Sequence, residues 1–165
     1  MTVANTPNRV TVLSAVADKI AANLAATAGN AVDLSTVKAT TFPVGTVADA
    51  SKETVYVGIP TGLETQSTAV GNRHLTDVWA LAVVIRCQPD GGTEASWLAA
   101  LARCEKVVGI VLASMHGDDA VVVPSGVGRV SNIEGPAPAD GSPLVAEAVV
   151  TFTITSNLHP AVPSS

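Results

Sequence analysis

The chain has 165 residues and a formal net charge of −5; 47% of its residues are hydrophobic, 14% charged and only 3% aromatic. Its nine lysines and arginines are spread singly, without the cation cluster that displaces phosphate counterions, so specific nucleic-acid binding is not expected. The N-terminal MTVANTPNRV has no basic stretch leading into an apolar core, and no run approaches the ~18 apolar residues of a membrane span; neither a signal peptide nor a membrane anchor is expected, and the chain reads as cytosolic.

The length suits one domain over 1–165, enough to bury roughly two-thirds of the surface of the unfolded chain. Charged residues fall well below the ~25% of an average globular domain. The surface is correspondingly bland, which a subunit buried in an assembly tolerates. Residues 1–8 read as an arm. A first helix is predicted over 9–28, with Val10, Leu13, Val16, Ala17, Ile20, Leu24 and Ala28 in one stripe and Gly29-Asn30 as its stop. Over 31–51 the pattern weakens; Val32, Leu34 and Val37 suggest a short strand, and Phe42-Pro43 with Gly45 an irregular connection. Strand alternation returns in ETVYVGI, residues 53–59, and Pro60 ends it. Residues 61–72 carry no apolar period and read as a long loop.

Residues 74–87, HLTDVWALAVVIRC, are predicted to form the longest strand. Its polar start, with His74, Thr76 and Asp77, suggests solvent. From Trp79 onward both faces are apolar: Trp79, Leu81, Val83 and Ile85 point one way, Ala80, Ala82 and Val84 the other. Such a strand needs cover on both sides, the small-residue face from a helix or another subunit. After the turn QPDGGT, Thr93 is placed to cap a helix over 94–115, with Trp97, Leu101, Cys104, Val108, Val111, Leu112 and Met115 in its stripe. Beyond it, 120–123 and 127–133 are β-like and EGPAPADGSP, residues 134–143, reads as a loop. A last strand over 144–155 places Ala146, Ala148, Val150, Phe152 and Ile154 inward and leaves Val145, Glu147, Val149, Thr151 and Thr153 half-exposed. Residues 156–165 read as a tail. The fold class is α+β: a mixed or antiparallel sheet with two main helices packed on it, in the order helix–strand–strand–helix–strand–strand.

No catalytic, cofactor or metal site emerges. Cys87 and Cys104 lack metal-ligand spacing and read as buried thiols. His116, Asp118 and Asp119 could be taken for a metal cluster, but HGDD after a helix reads better as a solvated C-terminal turn. His74 and Asp77 are three apart on a strand and face opposite ways. Ser125-Gly-Val-Gly lacks the lysine and strand-to-helix context of a phosphate cradle, no GxSxG occurs, and Glu53, Glu64, Glu134 and Glu147 are isolated.

One arrangement does point to a family. A helix precedes the strand VYVGIP (55–60); a loop leads to LTDVWALAVVIRC; a DGG turn leads to the Ala-rich helix EASWLAALARCEKVVGIVLAS. Over residues 9–155 this order resembles the tail terminator (tail-completion) proteins of long-tailed phages, especially those of actinobacteria. The resemblance implies an α+β subunit of a homohexameric ring at the head-proximal end of the tail tube. That ring would contact the tail tube protein and the head–tail connector or stopper protein in the virion neck, assembled in host cytoplasm, without chemistry or cofactor. It carries no motif whose residues transfer by position. Interface candidates come instead from the long loops and their flanks: Leu63, Glu64, Thr65, Gln66, Arg73, His74, Glu134 and Asp140. Two alternatives are another neck or tail protein (head–tail stopper or tube protein) and a small-molecule or metal-binding domain built on His116, Asp118 and Asp119.

Overall fold

The long apolar strand forms where the alternation places it and becomes the spine of a mixed sheet. The computed structural model describes residues 3–4, 9–41, 53–59, 66–70, 74–116 and 126–158. In chain order the elements are β1 (Val3–Ala4), α1 (Arg9–Ala25), β2 (Lys38–Thr40), β3 (Glu53–Gly58), β4 (Gln66–Val70), β5 (His74–Cys87), α2 (Glu94–His116), β6 (Gly126–Ala139) and β7 (Ser142–Leu158). The seven strands make one sheet. β7 runs antiparallel to β5 from Leu75 to Cys87, while β3 and β4 share the other side of β5, opposite residues 82–87 and 74–78 respectively. Outside these, β2 adds parallel to β3, β6 antiparallel to β7, and β1 parallel to the end of β7. With the short strands set aside, the α+β order is the one the sequence predicts, and both helices pack on a single face.

That face is built by alternation. Trp79, Leu81, Val83 and Ile85 of β5, Val55 and Val57 of β3, and Ala148, Val150, Phe152 and Ile154 of β7 are all buried beneath the helices. Burying each large side chain stabilises the fold by about 1.5–3 kcal/mol. From α1 come Val12, Val16, Ala17, Ile20 and Leu24; from α2, Ala100, Cys104, Val107, Val111 and Met115. Both stripes hold at their centres and shift at their margins. Val10 is 76% exposed and Val12 is buried in its place, and α2 buries Ala100, Val107 and Ser114 beside the expected Cys104, Val111 and Met115 while Leu98 faces out. The small residues allow close approach: the buried Ser114 hydroxyl donates to Ile110 O and accepts from Asn23 Nδ2 at 2.8 Å, tying α2 to α1. Thr93 caps α2 as expected. The Ser96 N–H donates to Thr93 Oγ1 at 3.1 Å and the Thr93 N–H returns to Ser96 Oγ at 3.2 Å, a reciprocal cap of the helix start.

Elsewhere the structure corrects the sequence reading. α1 stops at Ala25, and no strand forms at 32–37. Thr27 Oγ1 donates to Leu24 O and accepts from Leu34 N–H, while the Asp33 carboxylate accepts the Gly29 and Ser35 amides, winding the chain into turns that bury Leu34 and Val37. The segment read as a loop at 61–72 contains β4. β3 is too short to cover β5 along its length, so residues 74–78 hold an open edge that β4 pairs. Residues 134–143 are not a loop but the end of β6, a two-residue Asp140-Gly141 turn and the start of β7. Gly141, at φ 72°, supplies the left-handed residue such hairpins need. The prolines that suggested a loop, Pro136 and Pro138, lie on an outer strand, where a missing N–H is tolerated. Gly135 (φ 79°) sits so close to β7 that a Cβ would lie 2.5 Å from the Glu147 carbonyl oxygen. Both chain ends also contribute strand: Val3-Ala4 pairs with Asn157-Leu158. The irregular stretch at 42–45 and the β-like run at 120–123 lie outside the described residues.

Candidate functional site

Among the described residues, several charged side chains join elements of the fold. Asp77, read as solvated, is 2% exposed. It lies on the helix-covered face beside Trp79, where Arg9 clamps it with Nη2–Oδ1 at 2.7 Å and Nε–Oδ2 at 3.2 Å. The guanidinium also sits 5.7 Å from the Trp79 ring centroid, so the first residue of α1 is anchored to β5 by charge and by the ring face. The buried Trp79 Nε1 has no hydrogen-bond partner among the described residues. Arg103 Nε bonds Glu53 Oε1 at 2.6 Å, tying α2 to β3; this bond, the largest cause, holds the guanidinium further toward its charged form.

Cys87 and Cys104 are free and buried, as the sequence suggests. The hydrogen bond with Cys104, followed by burial, pushes the Cys87 thiol up, and Cys104 Sγ lies 3.9 Å from Ile85 O. A thiol held protonated is a poor nucleophile. His116 ends α2 exposed, its ring 6.0 Å from that of Phe152. Asp118 and Asp119 lie outside the described residues, and among the described residues no three His, Cys, Asp or Glu side chains converge.

The surfaces are more informative. On the sheet face away from the helices, Val78, Ala80 and Val84 of β5 and Val149, Thr151, Thr153 and Thr155 of β7 are half-buried by their neighbours, and Ala82 is buried. No described helix covers them. Arg86 and Glu147, paired across β5 and β7 at 2.7 Å, are the charges at one end of this face. It is a broad surface of small aliphatic and hydroxyl side chains, suited to close contact and poor in chemistry. The sequence anticipated the small-residue face of β5 as one needing cover; β7 widens it.

The predicted interface residues do not converge. His74 opens β5 at the end of the sheet where β7 finishes, and Gln66 opens β4 opposite Val78, four residues further in. Asp140 is in the β6–β7 turn at the opposite end, and Glu134 is on β6, accepting from Asn132 Nδ2 at 2.8 Å. Leu63, Glu64, Thr65 and Arg73 lie outside the described residues. Residues 127–133, read as β-like, do form part of β6, and Val130 and Ile133 on it are exposed.

No protein-family model matches the chain, and no curated protein matches it in sequence. Among solved structures, a chain described as "Virion of native gene transfer agent (GTA) particle" shares the fold. The superposition has a TM-score of 0.52 and 16% identity, covering 88% of this chain and 93% of the other. Near-complete coverage in both directions means the match is to the whole architecture rather than to one supersecondary unit.

Proposed function

We propose that this chain is a non-catalytic structural protein of a virion, and within that class a tail terminator. Copies would form a closed ring on the head-proximal end of the tail tube, stopping its growth and offering a surface to the head–tail connector. The observation that carries the reading is the whole-length fold likeness to a chain of a gene transfer agent virion particle. The bland open face of the β5–β7 sheet and the use of charged pairs as internal clamps support it. A ring requires a heterologous contact that closes on itself, and the open face and the sheet's two ends are where we place it.

Two experiments test this. Negative-stain imaging of the chain added to purified tail tubes is expected to show closed rings of about six subunits on one end of the tube, whereas polymerisation of the chain by itself into long cylinders would make it a tube protein. Deleting its gene from the phage that encodes it is expected to leave filled heads beside unjoined tails of uncontrolled length. Joined tails of normal length would overturn the terminator role.

A further inference from the structure

The outer side of β6 is the longest unpaired edge among the described residues. β7 occupies its inner side from Gly126 to Ala139, and no described strand lies beyond it. The pairing slips in the middle, where Val130 faces Phe152 and Asn132 faces Thr151 and Ser131 is left as an extra residue, and slips again between Glu134 and Ala137 and between Pro138 and Ala139. Such a bulge delays the alternation by one step. Arg129, Asn132 and Glu134, opposite Thr153, Thr151 and Val149, therefore share the open face of the sheet. Val130 and Ile133, opposite Phe152 and Val150, share the helix face, yet are 36% and 46% exposed.

Read outward from the bulge, the strand is symmetrical in character. Outward from the midpoint between Ser131 and Asn132, which would oppose each other across the two-fold, one side carries Val130 then Arg129 and the other Ile133 then Glu134. An edge of this kind complements itself when run antiparallel. Centring two copies on the bulge sets Arg129 opposite Glu134 of the partner subunit on one face. The same register sets Val130 opposite Ile133 of the partner subunit on the other. Two-fold symmetry repeats both pairs. Directly opposed unlike charges and β-branched pairs are the contacts that stabilise antiparallel strands, and like charges there oppose pairing. Past Glu134, Pro136 and Pro138 lack the N–H groups that would carry the ladder further, so the contact is confined to the stretch around the bulge.

We propose that the free chain forms a two-fold dimer by antiparallel pairing of its β6 edges about the Ser131 bulge. Its occupant is a second copy of this chain. Being isologous, the contact closes at two subunits and is distinct from the heterologous contact of a ring. It also covers an edge that would otherwise recruit strands without limit. This proposal does not rest on the tail-terminator reading.

Sedimentation of the full chain over a wide concentration range tests it. The expected result is a weak monomer–dimer equilibrium. Arg129→Glu alone, or Glu134→Arg alone, should weaken the dimer by about tenfold or more, since each substitution sets two like-charge pairs face to face. The double variant Arg129→Glu/Glu134→Arg should restore it, and that rescue distinguishes a direct contact from a folding defect. A monomer at every concentration up to the solubility limit overturns the proposal. So does a dimer or larger species that single charge reversal leaves unchanged, or one that the double variant fails to restore.

Discussion

The two faces of one sheet carry opposite duties, and adjacent residues show it. Along β7, Ala148, Val150, Phe152 and Ile154 are buried under the helices, while Val149, Thr151, Thr153 and Thr155 stay half-exposed. Along β5, Trp79, Leu81, Val83 and Ile85 are buried while Val78, Ala80 and Val84 are not. Because α1 and α2 lie on the same side, nearly all the burial that holds the fold comes from one face. On the other, no described helix adds burial.

The sharpest way to break this comparison is to truncate neighbours on β7. Phe152→Ala removes a side chain at 0% exposure and should cost about 3–5 kcal/mol, the transfer loss plus the cavity left behind. Thr151→Ala, one residue away on the open face, should stay within about 0.5 kcal/mol. Urea denaturation midpoints measure both, and similar losses would mean that the open face is structural after all.

A second test concerns charge on the covered face. Asp77→Asn keeps the shape but removes the charge facing Arg9. Arg9 retains 27% side-chain exposure and can recover some hydration, so a loss of about 2 kcal/mol is expected, below that for a fully buried pair. Thermal unfolding of Asp77→Asn beside Arg9→Met reports it. If the two losses differ greatly, Arg9 acts mainly through the Trp79 ring.

Legibility of the sequence follows the same division. Where one face is buried against the helices, alternation alone located β5 and the faces of β7, because an apolar period is a direct imprint of burial. Where backbone pairing rather than side-chain burial makes the element, the sequence was silent. β4, QSTAV, exists because β3 leaves part of β5 unpaired. The second half of β6 hid behind Pro136 and Pro138, whose usual meaning fails on an outer strand. Asp77 was misread because its partner is 68 residues away at the start of α1, and no local pattern encodes that meeting. The candidate surface was least legible, since exposed strands carry no burial signal; of the residues chosen from loop length, His74 and Asp140 lie toward opposite ends of the sheet and Glu134 on β6.

A smaller effect sharpens the open face itself. Arg86 and Glu147 oppose each other across β5 and β7 with a 2.7 Å contact, and the arginine side chain is 42% exposed. Arg86→Ala should therefore cost only about 0.5 kcal/mol, as for a half-exposed cross-strand pair, and the loss should shrink with added salt. A denaturation series at low and high ionic strength checks this; a salt-independent loss of several kcal/mol would show that the pair is sealed from water.

The smallest effect is expected away from both faces, in the turn after α1, and it is read by pH. Hydrogen bonds from the Ser35 hydroxyl, the Ser35 amide and the Gly29 amide, in that order, lower the Asp33 carboxyl from 3.8 to about 2. A carboxyl whose folded value is depressed contributes stability that is complete above its unfolded value and disappears as pH falls through the folded one. The turn should thus be fully supported above about pH 4 and loosen toward pH 2. Carboxyl and amide NMR titrations locate the change: Asp33 should titrate near 2, with the Gly29 and Ser35 amides shifting together. Buried Phe152 contacts should not respond over the same step. A normal Asp33 titration would mean that the turn is held by the burial of Leu34 and Val37, extending the helix-side core into a segment assigned here to polar capping.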